Sequence, residues 1–594
     1  MARTILSIRS KLRKISSRFA ERDVLLLLSL VVGTLCGLAA VLLDWLVEFI
    51  KEGAAHLFGG DNINLLYFVL PGLGMLISLL LVKYLVRDNI GHGVTKVLVA
   101  VSKNESRIKP HNMWSSILTS SITIGMGGSV GAEAPIVYTG AAIGSNAARL
   151  LGLSHRSVTI LLGCGAAGAI AGIFKAPLAG ILFTLEILLF NISMTSMLPL
   201  LLSTVSATVV SCIFRGITPQ FSCNITMFSM HNIPAYIVLG LFCALCAIYF
   251  NRTTLWLEDK AKLVTNPYLK WLLCATGLGL LIFLFPPLYG EGYGTLQTLL
   301  SGQTPEKMVT PLAFFMDKPV LVPLFFLLII ILKVFSMTFT NAGGGVGGTF
   351  GPTLFIGGLA GFVVARTGNL IFASSPYVIP ESNFVLVGMA GLMAGVMQAP
   401  MTAIFLIAEI SGGYELLIPL IITSAISYGI SHTVDPYSIY TKRIAKKGEL
   451  LTHDSDQAVL TLLKVGDFIE KDFHPVLIDD DLGTFVKAVS NSNRNLFPVV
   501  DAKHRFQGYV SLEDIRKDMF NPKLYNSMHV YNYMHSAPDY IYDDDTMQAV
   551  MNKFEAYDVW NLPVVTHDRV YLGFVSKSNI FSAYRSQLKE VSHD

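Results

Sequence analysis

Charge is what this sequence has least of. Only 14% of its 594 residues are Asp, Glu, Lys or Arg, against about 25% in an ordinary soluble domain. That is too few to cover a water-facing surface. A chain that is 52% hydrophobic, with a mean hydropathy of +0.56, is therefore not wholly soluble. Charge of one sign is lacking too: the net charge is +3, which gives no basic excess for a nucleic-acid partner. The seven cysteines form no framework. Cys243 and Cys246 make a C-x-x-C inside an apolar segment, with no second pair or histidine cluster nearby, and read as buried free thiols rather than metal ligands. A small-residue cleavage site is missing after the basic N-terminus, and the first apolar run is long for a signal peptide. Residues 1–22 read as a basic cytoplasmic or interfacial helix ahead of a true span.

From about residue 23 to 435 largely apolar runs recur, among them Val24–Val47, Leu65–Val86, Ala235–Phe250 and Val320–Val334. Several can cross ~30 Å of hydrocarbon at 1.5 Å rise per residue. Others, around 125–145 and 343–361, are broken by Gly or Pro. Arg3, Arg9, Lys11, Arg13, Lys14 and Arg18 precede the first span, and Lys442, Arg443, Lys446 and Lys447 follow the last. Basic residues at span ends mark the cytoplasmic side, which puts both termini on the cytoplasmic side of a cell membrane. After about residue 440 charge returns and apolar runs shorten.

The membrane part repeats itself. Gly168, Gly172, Ala176, Pro177 and Glu186 recur at one constant offset as Gly391, Gly395, Ala399, Pro400 and Glu409. Upstream, Gly127, Gly128 and Gly131 pair with Gly347, Gly348 and Gly351, and Pro135, Gly140 and Gly144 pair with Pro352, Gly357 and Gly361. Gly/Pro breaks at matching points of two halves point to a transporter core. Backbone that leaves the helix inside a bilayer is tolerated only where protein or a water-filled cavity satisfies it. Broken helices also aim N-terminal N–H groups at the midplane, which makes an anion site without a fixed cation. Some glycines, such as Gly140 and Gly144, read instead as close-packing positions.

Three glycine-rich segments and a late tyrosine resemble the anion-site signatures of CLC channels and transporters, over residues from about 25 to 450. The resemblance implies a polytopic all-α membrane protein of two inverted repeats with broken helices, roughly 23–230 and 231–448, assembled as a homodimer in membrane lipid. Gly91-His92-Gly93-Val94-Thr95 is similar to the family's GSGIP, with His92 in the hydroxyl position and Thr95 in place of proline. Gly131-Ala132-Glu133-Ala134-Pro135 is similar to G(K/R)EGP, with alanines replacing the basic residue and the second glycine. An ionised carboxylate in the membrane core is costly, and the resemblance gives Glu133 a reason to be there, as gate and proton carrier. Gly348-Thr349-Phe350-Gly351-Pro352 is similar to GxFxP, which implies that the Thr349 and Phe350 amides face the anion. Asp435-Pro-Tyr437-Ser-Ile-Tyr440 holds the phenol expected on the central anion: Tyr440, with Tyr437 as runner-up.

Ile187 stands where proton-coupled members often carry a second, inner glutamate, and an isoleucine cannot relay a proton. Channel and chloride/proton antiporter therefore both stay open. Glu186, recurring as Glu409, reads as structural.

After a linker at 449–465, residues 466–520 and 530–586 form a second repeat. Phe497-Pro-Val-Val and Leu562-Pro-Val-Val are each followed by Gly-x-Val-Ser, and the pattern predicts strand–helix–strand–strand–helix. It resembles an α/β tandem CBS pair. Such pairs can bind adenine nucleotides (ATP, ADP or AMP), which makes Ser511 and Asp514 the candidate contacts. In the second module Asn579 replaces the aspartate, and a purely structural module is the alternative.

The leading expectation is movement of chloride-like anions, alone or with protons, with no enzyme activity, metal or required cofactor. A membrane sensor that reads nucleotide without ion flux is the rival. An intramembrane enzyme would need a nucleophile–base pair or metal cluster at depth, and the sequence offers none.

Overall fold

The computed structural model describes residues 20–57, 63–103, 105–188, 194–221, 223–302, 312, 315, 318–372, 378–445 and 465–583. The basic residues before position 20, Lys446, Lys447 and nearly all of the 449–465 linker lie outside them. The chain divides into two compact units between Leu450 and Leu451.

The first unit is all helix: α1 (Glu21–Leu57), α2 (Ile63–Leu80), α3 (Gly93–Lys103), α4 (Ser115–Gly125), α5 (Glu133–Leu151), α6 (His155–Phe174), α7 (Pro177–Glu186) and α8 (Met194–Arg215) in its first half. The second half holds α9 (Ile233–Lys262), α10 (Pro267–Leu284), α11 (Tyr293–Leu300), α12 (Leu321–Ala342), α13 (Phe350–Ile371), α14 (Glu381–Met397), α15 (Pro400–Ile410), α16 (Leu417–Val434) and α17 (Ile439–Ala445). Among the described residues nine helical segments are long and apolar enough to cross a membrane. Their outward side chains stay apolar, as at Leu27, Ile213, Leu245 and Leu273. An apolar solvent tolerates such a surface, whereas water would not.

The sequence repeat is a structural repeat. The first break separates α4 from α5 and the second separates α12 from α13, at the two glycine clusters. They meet each other: the Gly131 N–H donates to the Gly348 carbonyl at 3.1 Å, and the Gly348 N–H returns to the Gly131 carbonyl at 2.7 Å. This reciprocal bond satisfies backbone that has left the helix.

The turns α6–α7 and α14–α15 also match. Lys175 and Gln398 both take left-handed backbone, with φ of 56° and 54°, and Pro177 and Pro400 then open the next helix, where a missing N–H costs nothing. Helix α5 packs on α6 as α13 packs on α14. A Cβ on Gly140 would lie 2.1 Å from the Gly165 carbonyl oxygen, and one on Gly357 would lie 2.5 Å from that of Gly388. Glycine permits both approaches.

The second unit holds two three-stranded sheets. In one, β1 (Val476–Leu477) runs parallel to β2 (Leu496–Val500), which pairs antiparallel with β3 (Phe506–Ser511). The other repeats this with β4 (Ile541–Tyr542), β5 (Asn561–Val565) and β6 (Tyr571–Ser576). Helices α18 (Leu482–Ser490) and α19 (Leu512–Ile515) complete the predicted order in the first module; in the second, α20 (Met547–Tyr557) lies between β4 and β5, and residues 577–583 are helical after β6. Each sheet also takes a bridge from the segment that opens the other module, Tyr509 to His535 and Phe574 to Glu470.

Candidate functional site

The paired breaks put the N-termini of α5 and α13 against one another, and Glu133 is the first residue of α5. Its side chain is 2% exposed. One carboxylate oxygen accepts the N–H of Gly351 at 3.2 Å, in the first turn of α13. The other accepts the Tyr293 hydroxyl at 2.5 Å. The carboxylate thus lies at a helix N-terminus, where unpaired N–H groups and the positive dipole end favour a negative charge. It belongs to one repeat and the helix to the other.

Thr349 caps α13 and Phe350 begins it. Both are buried, and the Phe350 ring lies 5.5 Å from that of Phe174 and 6.3 Å from that of Phe183. The Thr349 hydroxyl donates to the Tyr440 hydroxyl across a long 3.5 Å, and the Tyr440 hydroxyl lies 3.9 Å from Met397 Sδ. Tyr440 is 2% exposed whereas Tyr437 is 39% exposed, so the phenol beside Thr349 is that of Tyr440. Glu133, Thr349, Phe350 and Tyr440 are therefore brought to one place.

His92 sits elsewhere. It precedes α3 with left-handed backbone, φ 56°, and its ring nitrogen is 3.8 Å from a Glu258 oxygen, with the side chain 35% exposed. Glu258 is held by Arg443, at 2.6 and 3.3 Å. These three line a cavity of about 1020 Å³ together with Lys96, Arg107 and Lys262. Arg443 lies one turn beyond Tyr440 on α17, so this helix joins the cavity wall to the buried phenol.

Tyr293 bonds Glu133, Glu291 takes the N–H of the residue before it, and Lys333 holds the loop that carries Glu291; none of the three was singled out from the sequence. The first two lie about 160 positions from Glu133, beyond any local pattern. Lys333 did carry a signal, as the lone cation in the run Val320–Val334. Ile187 is buried directly after α7.

In the second unit the Ser511 N–H donates to Asp514 at 2.8 Å, and the other Asp514 oxygen meets His535 at 3.0 Å. Burial pushes the Asp514 carboxyl up, but the Ser511 and His535 contacts together outweigh it and hold the group below its usual range. The matching position of the second module is occupied from within. Glu470 accepts Ser576 at 2.7 Å and Asn579 at 3.3 Å, while Arg494 holds it at 2.7 Å.

The family model described as "Voltage gated chloride channel" matches residues 73–432, more than half of the chain, and the CBS domain model matches 465–521 and 530–586. The H(+)/Cl(-) exchange transporter ClcA of Salmonella arizonae is 25% identical over 473 residues, covering 76% of this chain and 95% of that protein. The fold is shared with the crystal structure of a slow cyanobacterial Cl-/H+ antiporter, at TM-score 0.61 and 21% identity over 72% of this chain and 98% of that one. It is shared also with a eukaryotic CLC transporter, at TM-score 0.58 and 19% identity over 93% of this chain and 98% of that one. The chain belongs to the voltage-gated chloride channel (CLC) family and carries two CBS domains.

Proposed function

We propose that this protein carries chloride-like anions through the membrane along a path that Glu133 closes when ionised and opens when protonated. The observation that carries this reading is the Glu133 carboxylate on the Gly351 N–H, a negative group held where an anion binds best. A proton on that carboxylate removes its charge and loosens its hold on the α13 N-terminus. The side chain then turns away, and the amides at the start of α13 are free for the transported anion. The Thr349 and Tyr440 hydroxyls offer the next contact, and the α17 cavity with His92 and Arg443 is the approach.

Coupling to protons is the first reading, supported by the exchange activity in the name of the curated relative, which aligns over 95% of its own length. Ile187 supports the second, uncoupled flow. On either reading the protein works as a homodimer in the cell membrane, with its termini and CBS pair in the cytoplasm, and an adenine nucleotide binds the CBS pair at Ser511 and Asp514. Reconstitution into chloride-loaded liposomes tests the proposal. Chloride efflux is expected, and none is expected of a sensor without ion flux.

A further inference from the structure

Glu133 is not the only carboxylate at its turn. The loop before α11 and the first residue of that helix are stitched to the Gly127–Glu133 turn at four points. The Gly290 N–H donates to the Gly127 carbonyl at 3.1 Å, Ser129 Oγ to the Leu288 carbonyl at 2.7 Å, the Ala132 N–H to Glu291 Oε1 at 2.9 Å, and the Tyr293 hydroxyl to Glu133. Glu291 thus grips the residue immediately before Glu133. Lys333 is fully buried, with its ammonium on the Gly290 and Leu288 carbonyls at 2.8 and 3.4 Å and 4.9 Å from the Phe355 ring centre. Among the described residues the titratable groups facing Glu291 include Glu133 on α5, Lys333 on α12, Asp44 on α1 and Tyr293 on α11, and Asp44 is itself paired with Arg215 at 2.5 Å.

We propose that Glu291 and Lys333 act as a charge-compensated pair that sets the pH at which Glu133 gates the path. This deepens the reading of Glu133 as the gate and rests on it. Ala132 stands where the motif ordinarily has a basic residue, and Lys333 is the buried cation nearest in role. Glu291, bound to the Ala132 N–H and in the field of Lys333, sets a negative charge against that cation beside Glu133. Removing the Glu291 charge alone leaves Lys333 uncompensated, which favours ionised Glu133, and a lower pH is then needed to open the gate.

The test is chloride efflux from liposomes as a function of pH, in the full-length protein. Glu291→Gln keeps an acceptor for the Ala132 N–H, and its midpoint is expected to fall by roughly one pH unit, the scale of a single nearby charge. Glu291→Asp keeps the charge and the wild-type midpoint. Adding Lys333→Gln to Glu291→Gln removes both charges and returns the midpoint toward wild type, a rescue that a packing defect would not give. A Glu291→Gln midpoint equal to wild type overturns the proposal, as does a double variant that stays as shifted as the single one. Glu133→Ala separates the two levels. If it abolishes the pH dependence while Glu291→Gln changes nothing, the gate stands and the pair falls; if it keeps the wild-type pH dependence, the gate itself falls.

Discussion

Glu186 and Glu409 cap each other's repeats. The Glu186 carboxylate, at the end of α7, accepts the N–H groups of Met401 and Thr402 at 3.0 and 2.7 Å, at the start of α15. Glu409, near the end of α15, accepts those of Leu178 and Ala179 at 3.1 and 2.9 Å, at the start of α7. Each carboxylate satisfies orphan donors on the helix that carries the other.

This exchange predicts damage from both Glu186→Gln and Glu409→Gln, the larger from Glu186→Gln, because Glu186 also accepts the Thr402 hydroxyl at 2.6 Å. Each loses charge-assisted bonds worth about 1.5–3 kcal/mol, so both variants should melt earlier than wild type in detergent, Glu186→Gln by more, with the pH dependence of chloride flux unchanged. A loss confined to one of them would contradict the symmetric role.

Tyr440 and His92 should separate in binding. Tyr440→Phe removes a hydroxyl that reaches the Thr349 hydroxyl, and chloride affinity by titration calorimetry should drop about tenfold, the worth of one hydrogen bond to a charged partner. His92→Ala, at the cavity wall beside Glu258, should stay within about twofold of wild type. Tyr437→Phe should leave affinity unaltered.

The CBS pair should bind one adenine nucleotide per chain and not two. Glu470 already occupies the hydrogen-bonding groups of Ser576 and Asn579, and its negative charge repels phosphate. Titration of ATP into the full-length protein should saturate at one equivalent, and Asp514→Ala should remove it. Two equivalents would show that Glu470 yields.

Asp514 also carries a pH signature. Its folded carboxyl titrates below the ordinary range, so its ionised contacts stabilise the module above the unfolded value and are lost as pH falls through the folded one. Asp514→Asn should flatten the acid-side decline in the melting temperature of the full-length protein, while leaving the neutral-pH melting curve cooperative.

The duplication was legible because its marks are backbone marks. Glycine and proline at Gly131, Gly348, Pro177 and Pro400 stand where the chain must leave or re-enter a helix, and no other residue types do this as cheaply. Glu133 was legible as a charge with no solvent to explain it. What the motif could not give was the neighbourhood. Tyr293 reaches Glu133 from a different helix in the other half, and Glu291 is tied to Ala132 through a backbone amide, which leaves no trace in side-chain patterning. His92 was legible from its motif position, but its neighbour was not: the ring nitrogen comes within 3.8 Å of Glu258, a residue far along the chain that no local pattern names.

The most direct test of the account is simultaneous recording of chloride and pH around liposomes that hold wild-type protein or Glu133→Ala. Chloride efflux from the wild type should rise as pH falls, with opposing proton movement if the two are coupled. Glu133→Ala should pass chloride at a rate independent of pH and move no protons. Wild-type liposomes that release no chloride, or a Glu133→Ala variant that keeps the wild-type response to pH, would contradict it.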